Sequence, residues 1–152
     1  MKISIITVCY NSSKSIRPTI ESVLSQNYAD IEYIIIDGGS IDGTIDIIKE
    51  YQDEVPIFLS EPDNGIYDAL NKGIVLASGD IIAILHSDDK FCDEYVVSDM
   101  MKQIEETKQK LYSFLTKIKQ LGKSIVAYGA PAKGNTLLNY CNIGTDLIDY
   151  TV

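Results

Sequence analysis

The fold is decided most clearly by the stretch DIIAILHSDD, residues 80–89, in which a short apolar run ends in two adjacent carboxylates. A continuous apolar run of this length is typical of a strand that is buried on both faces of a parallel sheet. Open α/β sheets bind their ligands along the edge where the carboxyl ends of the strands meet. The stretch therefore predicts a strand at 81–85 and places Asp88 and Asp89 at a ligand-binding edge.

Three further apolar runs precede this stretch and alternate with segments of helical periodicity. They are residues 3–8, 31–36 and 56–59, of which the first two are rich in β-branched side chains. Between them, apolar residues recur at three- and four-residue spacing, as they do on one face of a helix. Strands that alternate with helices in this way predict βαβ units. The predicted fold class is therefore α/β, with a mostly parallel sheet flanked by helices.

Composition and charge limit the kinds of partner that the chain can have. Its 152 residues are 45% hydrophobic and 23% charged, which is typical of a globular domain. A net charge of −9 argues against nucleic acid, because such binding needs Lys and Arg to neutralise phosphates. No apolar run reaches the roughly 20 residues of a membrane span, and the chain starts directly with a strand rather than a signal peptide. The three cysteines show neither metal-site nor disulfide spacing and are read as free thiols in a reducing compartment. We therefore predict a cytoplasmic protein, at most peripheral to a membrane.

The last third of the chain has a different character. Residues 1–100 hold 18 acidic and 6 basic side chains, whereas residues 101–152 hold 4 and 7, so the net charge changes from −12 to +3. A change of sign at this point predicts two domains with these bounds. A long helix over about residues 97–121 carries an apolar stripe that needs cover from the first sheet or from a second copy of the chain. A partial βαβ unit, with strands at 124–128 and 147–152, is predicted to follow.

Four groups of polar residues lie at the carboxyl ends of the predicted strands of the first domain or in the loops beside them. These groups are Tyr10-Asn11, Asp37-Gly38-Gly39, Asp63-Asn64-Gly65 and Ser87-Asp88-Asp89. Asp37 has the chemistry to accept a hydrogen bond from the imide N–H of a pyrimidine base, and Gly38 lets backbone approach a ligand. Asp88 and Asp89 offer the oxygen ligands that hard divalent cations prefer. Asp42 and Asp63 are interpreted as helix caps, with contact to a ligand as the alternative.

Four motifs within about residues 2–100 resemble the donor-binding half of family 2 glycosyltransferases. They are IITVCYN (5–11), DGGSIDGT (37–44), EPDNGIYDALNKG (61–73) and LHSDD (85–89). The resemblance implies a truncated GT-A fold, which is Rossmann-like, and inverting glycosyl transfer of the kind used in polysaccharide biosynthesis. It also implies a UDP-, dTDP- or GDP-linked sugar as donor and a divalent metal, Mn²⁺ or Mg²⁺, as cofactor.

The same resemblance implies roles for individual residues. The donor-binding positions are Tyr10, Asn11, Asp37, Gly38, Gly65, Asp68, Lys72, Ser87 and Asp88, and the metal positions are Asp88 and Asp89. His86 stands where many relatives carry Asp or Asn, so it is either a further metal ligand or donor contact, or a structural residue. The general base and the acceptor-binding segment of the family lie beyond the point where the resemblance stops, so no catalytic base is assigned.

Residues 105–152 resemble the C-terminal domain of S-adenosylmethionine-dependent sugar C-methyltransferases. The most distinctive motif is KSIVAYGAPAKGNT, residues 123–136. Residues 129–136 either cradle a phosphate with Lys133 or form a tight turn before a helix near 136–140. Three functions therefore stay open: a glycosyltransferase, a C-methyltransferase fragment, and a nucleotide-sugar-binding or interaction module. In the last case the long helix pairs two chains as a homodimer.

Overall fold

A computed structural model describes residues 1–128, 138 and 141–151. Within these residues the chain divides into two compact units, Met1–Ser98 and Asp99–Val152. The boundary between the units falls in the first turn of the long helix, Val96–Gln120. The two units are described separately below.

The described residues of the first unit form a parallel sheet flanked by helices. In chain order the elements are β1 (Ile3–Cys9), α1 (Ile16–Leu24), β2 (Ile31–Asp37), α2 (Thr44–Lys49), β3 (Ile57–Ser60), α3 (Ile66–Leu76), β4 (Ile81–Ile84) and the start of α4 (Val96–Gln120). The strand order is β3-β2-β1-β4, and each of these pairs is parallel. The predicted α/β class and the mostly parallel sheet are confirmed, with strand bounds that differ by one residue.

Parallel pairing brings the carboxyl ends of the four strands to one edge of the sheet. Cys9 at the end of β1 pairs with Asp37 at the end of β2, and Asp37 pairs with Ser60 at the end of β3. On the other side of β1, Ile6 pairs with Ile84 at the end of β4. The loops that follow the four strands therefore leave the sheet on the same side.

The core of the first unit is built around the central strand β1, all of whose residues are buried. One face of the sheet packs against α3 through Ile6, Val8, Ile34, Ile36 and Ala69. At Gly73 the helix comes so close that an added Cβ would lie 2.6 Å from Ile6 Cγ2. The absence of a side chain at Gly73 therefore allows α3 to pack directly on the central strand.

A buried carboxylate holds together the opposite, amino-terminal edge of this sheet. Glu32 accepts hydrogen bonds from Lys2 Nζ and Ser4 Oγ at 2.6 Å, and from the N–H and Oγ of Ser78 at 2.7 Å. Burial disfavours the charged form of Glu32, but these hydrogen bonds outweigh it and lower its pKa to about 2. Ionised Glu32 therefore stabilises the fold.

Replacing Glu32 with glutamine is expected to lower the free energy of unfolding at pH 7 by about 2 kcal/mol, because charge-assisted hydrogen bonds are lost. Since the folded pKa of about 2 lies below the ordinary 4.5, this stabilisation is complete above pH 4.5 and disappears as the pH falls towards 2. Urea unfolding of both proteins from pH 7 to pH 2 should show their difference shrinking in that window. A difference that does not change with pH would contradict the assignment.

The described residues of the second unit comprise most of α4 and a short parallel sheet, β5 (Val126–Ala127) with β6 (Tyr150–Thr151). Both strands are shorter than the predicted 124–128 and 147–152. The loop at 129–136 with Lys133 and, apart from Leu138, the helix predicted near 136–140 lie outside the described residues. Although α4 has 25 residues, neither it nor any other helix in the described part of the chain is apolar enough to cross a membrane.

Part of the apolar stripe of α4 is covered by the chain's own C-terminal segment. Leu111 and Leu115 pack in one cluster with Cys141, Ile143, Leu147 and Ile148. The segment is fastened by Asp149, which pairs with Lys119 Nζ at 2.6 Å and accepts the Ile125 N–H at 2.6 Å. The sequence had suggested only the first sheet or a second chain as cover, so this partner was missed. The homodimer stays a prediction.

Candidate functional site

A cavity of about 900 Å³ lies at the carboxyl edge of the sheet in the first unit. This volume falls in the range of small-molecule sites. The loops after β1, β2, β3 and β4 all contribute to its lining, which consists of Val8, Cys9, Tyr10, Ser12, Gly38, Gly39, Pro62, Asp63, Gly65, Ile66, Ala69, His86, Ser87 and Asp88. The four groups of polar residues that follow the strands therefore meet at one cavity.

The predicted site residues divide into those that line this cavity and those that do not. The lining includes Tyr10, Gly38, Gly65, His86, Ser87 and Asp88. Tyr10 is 63% exposed, so its ring is accessible to a ligand. Asp89 is exposed beside Asp88 but is not part of the lining, and Asn11, Asp37, Asp68 and Lys72 also lie off it.

Asp37 is fully buried behind the lining. Its carboxylate accepts hydrogen bonds from the N–H of Gly39 at 3.0 Å, the N–H of Ser40 at 2.9 Å and Ser60 Oγ at 2.7 Å. Burial disfavours the charge, but a further hydrogen bond from Ser40 Oγ and those just described outweigh it and hold the pKa of Asp37 below its ordinary value. Asp37 thus connects the loop after β2 to the end of β3 by hydrogen bonds. Its predicted contact with a nucleoside stays a prediction.

The thiol of Cys9 extends the same buried network. Its Sγ donates to Asp37 Oδ1 at 3.6 Å and to the carbonyl of Ile36 at 3.7 Å. Burial, followed by the charge of Asp37, raises the pKa of Cys9 far above its ordinary value. The thiol is therefore neutral and unsuited to nucleophilic chemistry.

Asn11 has a supporting role in the loop after β1. It adopts a positive φ of 50°, a conformation that asparagine tolerates better than most residues. Its Oδ1 accepts the Ile41 N–H at 3.0 Å, and its own N–H donates to Ser40 Oγ at 2.7 Å. These bonds fix the loop after β1 against the loop after β2.

The acidic loop after β4 is held by α1 and by the loop that precedes it. Ser87 Oγ lies 2.9 Å from Ser12 Oγ. The buried Thr19 Oγ1 lies 3.1 Å from the carbonyl oxygen of Ser87 and 2.7 Å from that of Asp89. Thr19 was not found from the sequence, although a hydroxyl within the apolar stripe of α1 is the signal that marks it.

Asp68 and Lys72 form an ion-pair network that stabilises the connection between β3 and α3. Lys72 Nζ lies 2.8 Å from Glu61 Oε1 and 3.6 Å from Asp68 Oδ2. The Asn64 N–H donates to Asp68 at 3.0 Å, and together with the charge of Lys72 it lowers the pKa of Asp68. Whether these two residues lie near a bound nucleotide-sugar donor is not tested by these contacts and stays a prediction.

Asp42 and Asp63 both accept backbone N–H groups just before a helix. Asp42 Oδ1 bonds to the Thr44 N–H at 3.1 Å, and Asp63 Oδ1 bonds to the Gly65 N–H at 2.8 Å. The N-cap positions themselves are Gly43 and Gly65, so Asp42 precedes the N-cap that it was predicted to occupy. Unlike Asp42, Asp63 also lines the cavity, so it is accessible to a ligand as well as bonded to the start of α3.

Asp88 and Asp89 are exposed, and no hydrogen bond or ion pair reaches either carboxylate from the part of the chain that the structure describes. Within that part, no three His, Cys, Asp or Glu side chains lie close enough together to hold a metal ion. Mg²⁺-type ions usually take one or two carboxylates and complete their shell with water and substrate phosphates. The adjacent carboxylates therefore fit the protein's share of such a shell.

Comparison with known families gives two matches. The model of "Glycosyl transferase family 2" matches residues 4–115, and that of the "C-methyltransferase C-terminal domain" matches residues 83–152. An uncharacterized glycosyltransferase of Mycobacterium tuberculosis is 39% identical over 103 residues, which cover 67% of this chain and 39% of the relative. The UDP-Glc:alpha-D-GlcNAc-diphosphoundecaprenol beta-1,3-glucosyltransferase WfaP of Escherichia coli is 35% identical over 159 residues, covering 98% of this chain and 61% of the relative.

A solved structure has a similar fold. The mannosyltransferase PcManGT of Pyrobaculum calidifontis, determined in complex with GDP-Man and Mn²⁺, gives a TM-score of 0.63 at 19% identity. The match covers 90% of this chain and 38% of that protein. Together with the parallel sheet, this likeness confirms the GT-A fold. The chain spans between 38% and 61% of the lengths of these three proteins.

Proposed function

This chain belongs to glycosyl transferase family 2, and we propose that its first unit binds a nucleotide-diphosphate sugar at the carboxyl edge of the sheet. The observation that carries this proposal is the single cavity of about 900 Å³ that the loops after all four strands line. The name of WfaP specifies UDP-Glc, and PcManGT was solved with GDP-Man, so relatives and structural neighbours with such donors support it.

A divalent ion, Mn²⁺ or Mg²⁺, is part of this proposal. Asp88 on the lining and the adjacent Asp89 would hold it, with His86 beside them as a further candidate ligand. When bound, the ion would neutralise the diphosphate and stabilise it as a leaving group. The chain itself supplies two carboxylates on a loop that Ser12 and Thr19 hold in place.

The charge of the cavity supports the role of the ion. No Lys or Arg occurs among the described residues that line it, and residues 1–100 carry a net charge of −12. A diphosphate that enters such a cavity without a cation is repelled by the surrounding acids. Binding of the nucleotide is therefore expected to depend on the metal.

The remaining parts of the proposal concern the whole protein. Residues 1–100 serve as the donor-binding half domain. Inverting transfer in polysaccharide biosynthesis also requires an acceptor-binding segment and a general base. No residue of this chain is assigned to either role. Residues 101–152, which include much of the C-methyltransferase C-terminal match, form the second domain, a long helix with a partial Rossmann-like fragment. A cytoplasmic location stays a prediction from the sequence.

Isothermal titration calorimetry tests the donor-binding function. UDP, dTDP and GDP are titrated into the protein with Mn²⁺, with Mg²⁺ and with a chelator. At least one of the three nucleotides is expected to bind, and only when a divalent ion is present. No binding of any of them under any condition would refute the proposal, and equal binding in the presence of the chelator would refute the role of the metal.

A further inference from the structure

The outer edge of strand β4 carries exposed apolar side chains. Among the described residues β4 pairs only with β1, because it ends the strand order β3-β2-β1-β4. Its Ile82 and Ile84 are 43% and 49% exposed, and they pair with Ser4 and Ile6 of β1. Because paired residues of neighbouring strands share a face, both isoleucines lie on the face of the sheet that packs against α3. The apolar face of the sheet therefore continues to an exposed edge.

The backbone of β4 directs the hydrogen-bonding groups of the same two residues outwards. The N–H and C=O groups of a strand alternate in direction, so every second residue bonds to the same neighbouring strand. The N–H groups of Ile81 and Leu85 donate to carbonyls on the β1 side, at 3.3 Å and 3.0 Å. The residues between them in this alternation, Ile82 and Ile84, therefore present their N–H and C=O groups to a further strand.

The opposite edge of the sheet is better protected against such pairing. Strand β3 lies between Pro56 and Pro62, which have no N–H to donate, and its apolar residues 57–59 are half-buried. Natural sheets protect exposed edges with proline or with charged side chains. The run at 81–85 contains neither, so β4 is the edge that favours a partner strand.

A second copy of β4, running antiparallel, complements this edge when a two-fold axis passes through Ala83. Ile82 then pairs with Ile84 of the second copy, so that their outward N–H and C=O groups bond and their side chains share a face. Asp80 lies opposite His86 of the second copy, whose ring can carry the opposite charge. A register shifted by two residues places an isoleucine against Asp80 or His86 instead. The strand is therefore self-complementary in one register.

Helix α3 extends the apolar surface beside this edge. Leu76 of α3 borders a groove with Leu59 of β3, so the helix turns that side towards β3. Ile74 lies on the other side of the helix, towards β4, and is 45% exposed. A two-fold axis perpendicular to the sheet keeps both copies of α3 on the same face. Both copies of Ile74 then lie beside the paired isoleucines.

We propose that two copies of this chain associate through β4 and join their sheets into one continuous sheet. This surface is distinct from α4, through which the sequence predicts a homodimer. The two β4 strands run in opposite directions, so the cavities of the two copies lie at opposite ends of the joint sheet. The association therefore does not depend on the proposed function.

Sedimentation over a wide range of protein concentrations tests this inference. The parent chain is expected to form a dimer, and Ile84→Lys is expected to raise its dissociation constant by about 100-fold or more, because a charge enters the apolar junction. Ile84 is half exposed in the single chain, so the variant should fold, which circular dichroism and thermal melting establish. Phe114→Lys, which adds the same charge at a 60% exposed position of α4, is the matched control and should keep the dimer.

Cross-linking at the two-fold axis provides a second, independent measurement. Ala83 faces its own copy in a non-hydrogen-bonded pair, whose Cα atoms are about 4.5 Å apart, a separation that a disulfide can span. Ala83→Cys, combined with Cys92→Ser to remove the exposed thiol, should therefore form a disulfide-linked dimer with oxidised glutathione. Val75→Cys in the same background, 84% exposed on α3, is the control and should stay unlinked.

Three results would overturn the inference. The first is a parent chain that sediments as a monomer at every concentration. The second is a dimer that survives in folded Ile84→Lys and dissociates in Phe114→Lys, which would assign the contact to α4. The third is a parent dimer whose Ala83→Cys variant forms no more cross-link than Val75→Cys, which would place the two-fold axis elsewhere.

Discussion

Asp37→Ala is expected to lower the free energy of unfolding by about 4 kcal/mol and to abolish nucleotide binding. The carboxylate is fully buried and accepts hydrogen bonds from Gly39, Ser40 and Ser60. Alanine leaves the buried N–H and Oγ of Ser40 without an acceptor, and each such buried group costs about 1–3 kcal/mol. The half-buried Gly39 N–H and the exposed Ser60 lose their acceptor at a smaller cost. The loops after β2 and β3 then lose the connection that shapes the cavity.

Urea unfolding and nucleotide calorimetry on the same preparations measure both effects. Asp37→Asn retains the shape of the side chain but has one acceptor oxygen instead of two, so an intermediate loss of stability is expected. Asp53→Asn, which removes an exposed charge outside the cavity lining, serves as the control, with unchanged stability and binding. If Asp37→Ala kept the parent's stability and lost only binding, the carboxylate would contact the ligand directly, as the family resemblance implies, and the structural role would be wrong.

Asp88→Ala is expected to weaken Mn²⁺-dependent nucleotide binding by about 100-fold while leaving stability unchanged. Asp88 is exposed, lines the cavity and makes no hydrogen bond within the described residues, so its removal costs the fold little. Its loss leaves the bound ion with one carboxylate at most. The negative charge of the diphosphate is then less well neutralised, because the described cavity lining has no basic side chain to replace the ion.

Titrations of UDP or GDP at several Mn²⁺ concentrations, with thermal melting in parallel, measure this effect. Asp53→Ala is the matched control, because it removes the same group from an exposed position off the cavity lining. His86→Ala decides between the two roles of that residue: a metal ligand gives a loss comparable with Asp88→Ala, and a structural residue gives a lower melting temperature. Binding by Asp88→Ala that matches the parent protein at every Mn²⁺ concentration would contradict the metal assignment.

Sequence patterns predicted most of the secondary structure of the first unit. The runs at 3–8 and 31–36 became buried strands because a buried parallel strand needs apolar residues on both faces, and this requirement is visible in a single segment. The run at 81–85 also became a strand, but β4 ends the described sheet and Ile82 and Ile84 are 43% and 49% exposed, so its predicted burial on both faces was wrong. The cover of α4 was less predictable. Its apolar stripe shows that a partner is needed, but the partner, at Cys141–Ile148, lies more than twenty residues further along the chain. Nothing in the stripe itself identifies that segment.

The edge of the sheet that carries the candidate site was also predictable, whereas the orientation of its side chains was not. Asp37 and Asp63 both follow strands and both precede glycine-containing turns, so local pattern gives no reason to distinguish them. In the structure, the Asp37 carboxylate accepts hydrogen bonds from Ser60 of β3 and Cys9 of β1. Gly38 leaves space for the Asp63 carboxylate instead.

The amino-acid sequence by itself determined the α/β class, the mostly parallel sheet and the edge at which the polar loops gather, because strand burial and helix periodicity are properties of short segments. Only the tertiary structure decided which acids reach the cavity. A carboxylate faces a ligand or the interior according to the donors that surround it, and for Asp37 and Asp63 those neighbours come from other strands and loops whose positions depend on the folded chain.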